Sequence, residues 1–82
     1  MGTPKLISVV LVSDFKLELV FSDGLRAEVD FYPELKGGVF DALQNSKYFS
    51  SFKFQTQFGT IEWDNGADFS PEFLYNAAQL NR

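Results

Sequence analysis

Cysteine and histidine are both missing from this 82-residue chain. Without cysteine there is no disulfide framework and no thiol nucleophile. Without histidine the commonest general base and the commonest transition-metal ligand are gone. Positive charge is scarce as well: seven lysines and arginines against eleven acids leave a net charge of −4. An acidic chain repels a phosphate backbone, so no nucleic-acid partner is expected for this chain alone. No apolar run approaches the roughly 20 residues that cross a bilayer, so no membrane partner is expected either. Met1–Lys5 is too short and too polar for a signal peptide, and Ser8, Ser13 and Asp14 interrupt the apolar run that follows. These features read as a cytoplasmic protein of bacterial style.

What the chain has instead is aromatic bulk: ten phenylalanines, three tyrosines and Trp63. A chain of this length makes one domain, residues 1–82, and hides only about 60–65% of the surface its unfolded form exposes. Large rings compensate, each removing about 150–250 Å² from water. Ten phenylalanines nevertheless exceed what one thin sheet and two short helices easily cover. A leftover apolar patch is therefore expected, to serve as a partner or self-association surface.

The side-chain pattern predicts an α+β fold: an antiparallel three-stranded β-meander, a β-hairpin and two short helices, the last at the C-terminus. Leu6–Val12 is dense in Ile, Val and Leu and reads as a strand. Residues 12–15 reverse the chain. Phe15, Leu17, Leu19 and Phe21 then alternate with Lys16, Glu18 and Val20, the period of two of a strand with one wet face. Ser22-Asp23-Gly24 is a hairpin signal. Leu25, Ala27, Val29 and Phe31 point inward on the third strand, with Arg26, Glu28 and Asp30 outward. The meander leaves an edge strand able to pair with its twin.

Pro33, lacking an N–H, ends the pairing and opens a short helical turn. Val39–Asn45 is expected to be a short helix with Val39, Phe40 and Leu43 on one side, and 46–51 an irregular turn with Tyr48 and Phe49 inward. Residues 52–56 and 60–63 make the hairpin, with Ile61 and Trp63 on one face. Ser70 suits an N-cap, Pro71 the first helical position and Glu72 the positive end of the dipole. Phe69 is placed to touch Leu74 across the cap. The final helix carries Phe73, Leu74, Ala77 and Ala78 as its apolar stripe, and Asn81-Arg82 is expected to fray.

The densest polar cluster is Glu62, Asp64, Asn65 and Asp68. Hard cations want several oxygens, but the spacing matches no calcium loop and suits Asx turns that satisfy their own backbone. Gly37-Gly38 before a helix suggests an anion nest, yet Lys36 precedes the glycines rather than following them. The rings from Phe49 to Trp63 could stack bases, but only Lys47 and Lys53 lie near, and core packing explains them better. Ser70 has no base to activate it and reads as a cap. No catalytic residue, cofactor or metal ligand is assigned.

Residues Trp63-Asp64-Asn65-Gly66-Ala67-Asp68-Phe69-Ser70-Pro71-Glu72, with Leu74-Tyr75, form a string that resembles the end of domain-of-unknown-function family 2442, W-x-N-G-A-D-L-x-P-D/E-x-L-Y. Phe69 stands where leucine is commonest. Pro4–Val9, the Phe21–Gly24 hairpin and Gly38–Leu43 are similar to the family too, so the resemblance covers almost the whole chain. It implies a small prokaryotic α+β domain with no established activity and no catalytic residues to carry over. Some members resemble the first half of proteins bearing a helix-turn-helix, and others look like partners in toxin–antitoxin-like pairs. No helix-turn-helix segment follows the last helix within these 82 residues.

Trp63, Asn65, Gly66, Asp68 and Tyr75 are the candidate signature or interaction residues. The string can be architectural, joining the fifth strand to the final helix, or Trp63, Asn65 and Asp68 can line a recognition site, since loops often carry function. The expected role is a non-catalytic protein-interaction module: a homodimer, or the acidic partner of a basic protein. The alternatives are an antitoxin-like or transcription-linked component acting through another chain, and a metal binder or hydrolase using Glu62, Asp64 and Asp68.

Overall fold

The computed structural model describes residues 2–81. Arg82, whose fraying was expected, lies outside them, while Asn81 is tied back through its side-chain amide to the carbonyl of Ala77 at 2.8 Å. The meander consists of β1 (Leu6–Ser13), β2 (Lys16–Phe21) and β3 (Arg26–Asp30), antiparallel in that order. Alternation in β2 and β3 sets the faces as the period of two requires: Leu17, Leu19, Phe21, Ala27 and Val29 are buried. On the wet face Glu18 lies directly opposite Glu28. Such a like-charge pair is destabilising by itself, and the diagonal Arg26 offsets it with a 3.0 Å bond to Glu18.

After β3 the chain makes a 3₁₀ turn at Tyr32–Glu34 and a second 3₁₀ helix at Gly38–Gln44, then one α-helical turn, α1 (Ser46–Phe49). Val39 does not join the buried side with Phe40 and Leu43; it is 44% exposed. At three residues per turn Phe40 and Leu43 eclipse each other and Val39 is rotated off their face. The stretch read as an irregular turn is helical because the Asn45 side chain caps it, accepting the backbone N–H groups of Lys47 and Tyr48.

The expected hairpin, β4 (Lys53–Gln55) and β5 (Thr60–Glu62), gains a third strand, β6 (Asp68–Phe69). Two residues are too few to show a period, which is why the pattern did not announce β6. Phe54, Ile61 and Phe69 form one cross-strand row. The final helix, α2 (Pro71–Leu80), starts as its sequence dictates, with Ser70 Oγ accepting the N–H of Phe73 at 3.1 Å. Phe69 stacks on Phe73, ring centroids 4.9 Å apart and planes 14° apart, one residue before the expected partner Leu74.

A single cluster of buried side chains unites the inner faces of both sheets with Leu35, Leu43, Phe49, Leu74 and Ala78. Its centre is aromatic: Phe49 contacts Phe15, Phe31 and Trp63, and Phe69 contacts Phe31, Phe40, Trp63 and Phe73. No helix among the described residues is long and apolar enough to cross a membrane.

Candidate interaction surface

The residues singled out in the terminal string sit where strand, turn and helix meet. Trp63 is buried, and its indole N–H donates to the carbonyl of Phe49 at 2.9 Å. Asn65 works in both directions. Its side-chain oxygen accepts the N–H of Ala67 at 3.0 Å, and its amide donates to the carbonyl of Val39 at 2.8 Å, tying the turn to the 3₁₀ helix. Gly66 has φ +93°, a conformation L side chains rarely adopt, and its N–H donates to the carbonyl of Trp63. No atom would meet a Cβ built there, so Gly66→Ala isolates backbone strain. It is expected to cost about 1–2 kcal/mol, read as a shift in the urea midpoint without a change of slope.

Asp68 is exposed on β6, opposite Glu62 on β5. Lys53 relieves the local excess of acid by binding Asp64 at 2.8 Å, and its ammonium is held above the usual lysine value first by that hydrogen bond and then by the charge of Asp64. Gln55 donates to Glu62 at 2.8 Å. Among the described residues no three acids converge on a point that could hold a cation. The backbone N–H that Gly37 would offer an anion is taken by Asp41 at 2.8 Å.

Tyr75, on α2, reaches across to the β2–β3 turn. Its ring meets Phe21 edge-on at 5.1 Å, and its hydroxyl donates to Asp23 at 2.5 Å. The Tyr75 hydroxyl, then the N–H of Leu25, hold the Asp23 carboxyl below its usual value of 3.8. A carboxyl whose pKa is lower folded than unfolded stabilises above its unfolded pKa, and that contribution vanishes as pH falls through the folded pKa. Tyr75→Phe keeps the ring and removes the bond. The melting temperatures of wild type and variant are therefore expected to differ at pH 6 and to draw together as the pH falls through the titration of the folded carboxyl, as followed by circular dichroism.

Nine of the ten phenylalanines are wholly or partly covered; only Phe58 is freely exposed. Tyr32, Val39, Phe58 and Leu80 are exposed at separate places along the chain, whereas four exposed aliphatic side chains share one strand, β1: Ile7 is 57% exposed, Val10 50%, Leu11 41% and Val12 46%. The cause is topological. β1 is an edge of the sheet, and beyond the Gly59 turn, which packs at Leu6, it runs past the core. Its register breaks between Leu6 and Ser8 and again between Leu11 and Ser13. Val9 and Leu11 follow the core row opposite Leu19 and Leu17, while Val10 lies on the wet face opposite Glu18. From Leu6 to Ser13 the strand carries no charge. Natural edge strands are blunted by lysine, proline, shortness or bulges. β1 has no lysine or proline and is eight residues long, and its two register breaks leave Ser8–Leu11 between them as a regular stretch of edge.

The sequence model of a family described as "Protein of unknown function (DUF2442)" matches residues 6–79, and the chain belongs to that family. No curated protein and no solved structure matches the chain.

Proposed function

We propose that this chain is a non-catalytic protein-interaction module, acting in the bacterial cytoplasm, that works by strand addition at the open edge of β1 and forms a homodimer there. The observation that carries the reading is that edge: eight uncharged residues with four exposed aliphatic side chains, in a protein that otherwise surrounds itself with acids. An unpaired strand edge is a ready template for another strand, with main-chain hydrogen bonds supplying affinity and alternate side chains specificity. A basic partner would find no acid along β1 to recognise, whereas a second uncharged β1 meets no repulsion.

Strand-edge contacts belong at the small end of interface sizes, so weak affinity is expected and the measurement belongs at a concentration of order 10⁻⁴ M. Light scattering should give twice the 9.3 kDa of the chain. Val10→Lys places an edge lysine opposite Glu18, where the monomer tolerates it. It should return the mass to 9.3 kDa with the melting temperature unchanged. A wild type that stays monomeric at that concentration, or a Val10→Lys protein that remains dimeric, overturns the reading.

A further inference from the structure

We infer that two copies pair β1 antiparallel about a two-fold axis normal to the sheet, and that Lys5 and Asp14 select this orientation by pairing across both ends of the joint. The inference rests on the strand-addition reading above and adds to it an orientation and two specificity-determining residues.

Lys5 and Asp14 immediately flank β1 (Leu6–Ser13), and both are exposed. Among the described residues neither side chain enters an ion pair. The antiparallel register that sets Val10 opposite its twin and Val9 opposite Leu11 keeps each of these residues facing one on its own side of the sheet. It brings the Lys5 end of one copy to within one residue of the Asp14 end of the other, inside the reach of a lysine side chain. The two-fold then generates a second such pair at the opposite end. An isologous interface repeats every favourable contact in this way. Opposite charges on neighbouring strands stabilise, and like charges directly opposite destabilise. A parallel joint would set Lys5 against Lys5 and Asp14 against Asp14.

The sheet faces give an independent reason. A two-fold normal to the sheet keeps the core face of one copy continuous with the core face of the other, because directly opposite residues share a face. The half-exposed core-row residues Val9 and Leu11 of both copies then cover one another, and the two meanders become one six-stranded sheet. A parallel joint, about a two-fold lying along the strands, turns one sheet over. The core-row side chains of one copy would then continue into the charged row of Lys16, Glu18, Arg26 and Glu28 of the other.

Charge reversal tests the orientation. Lys5→Glu should weaken the dimer by about tenfold, because two symmetry-related pairs change from attraction to repulsion at once. Asp14→Lys should do the same from the other end. The double variant Lys5→Glu/Asp14→Lys should recover the wild-type dissociation constant, measured by sedimentation equilibrium at low salt, and the single-variant defects should shrink at 1 M salt. Circular dichroism checks that each variant is folded, and if one is not, the other single variant and the double carry the test. A dimer indifferent to both reversals, or one the double variant fails to restore, overturns the orientation while leaving strand addition standing. A wild type with no dimer to weaken removes both.

Discussion

Trp63→Ala is expected to lower folding stability by about 3–5 kcal/mol. A domain of this length has roughly 4–12 kcal/mol in all, so the variant stands at the margin of folding. The size follows from position: Trp63 is 3% exposed and packs between Phe49 at 5.5 Å and Phe69 at 5.8 Å. These two rings are the hubs through which α1 and β6 meet Phe31, the residue that follows β3, so the cavity opens at the junction of the elements. Trp63→Phe separates packing from polarity. It keeps a ring and removes the indole donor from the Phe49 carbonyl, which still accepts the N–H of Phe52 at 3.3 Å, so the lost bond should cost about 0.5–1.5 kcal/mol. Urea unfolding followed by circular dichroism orders the three proteins as wild type, then Trp63→Phe, then Trp63→Ala. Equal stability of wild type and Trp63→Ala would contradict the packing described.

Leu19→Asp is expected to unfold the domain, and Val20→Asp to leave it folded. The two positions are adjacent in sequence and lie on opposite faces of β2. Leu19 is fully buried opposite Val9 and Ala27, while Val20 is half-exposed opposite Ser8 and Arg26. A carboxyl buried without a partner is driven to its neutral form at a cost of about 3–5 pKa units, roughly 4–7 kcal/mol, comparable with the whole stability of the domain. At position 20 the new carboxylate meets water and the guanidinium of Arg26, so a change within about 0.5 kcal/mol is expected. One-dimensional proton NMR distinguishes the outcomes by whether dispersed amide and methyl signals survive. A folded Leu19→Asp protein would mean that the sheet can slip register and turn its faces over.

The alternation of β2 and β3 made the meander legible, because a strand wet on one face writes its orientation into every second residue. The Ser70-Pro71-Glu72 start of α2 was legible for a similar reason: capping is local chemistry. Three features were not. β6 has two residues, too few for any period, and exists because the Asn65-Gly66 turn folds Asp68-Phe69 back onto β5. The 3₁₀ helix at Gly38–Gln44 was read with the wrong pitch, which misplaced Val39. The surplus of phenylalanine suggested a leftover apolar patch without locating it: nine of the ten rings are wholly or partly covered, and the exposed apolar side chains that share one strand are Ile7, Val10, Leu11 and Val12 of β1.

Of the candidate residues, Trp63, Asn65 and Gly66 fasten the turn to α1 and the 3₁₀ helix, and Tyr75 fastens α2 to the β2–β3 turn. Asp68 pairs with Glu62 on the outer face of the second sheet. The string therefore explains how this sequence closes its fold. The surface argued to meet a partner lies at the other end of the chain, where an unalternating run such as VVLV does not by itself declare which strand will be left at an edge.

Amide hydrogen exchange along β1 as a function of protein concentration tests the account most directly. Strand addition predicts that, between concentrations of order 10⁻⁶ and 10⁻⁴ M, amides within residues 7–12 gain protection while those of β2 and β3 keep theirs unchanged. Exchange across residues 7–12 that is equally fast at both concentrations would contradict it.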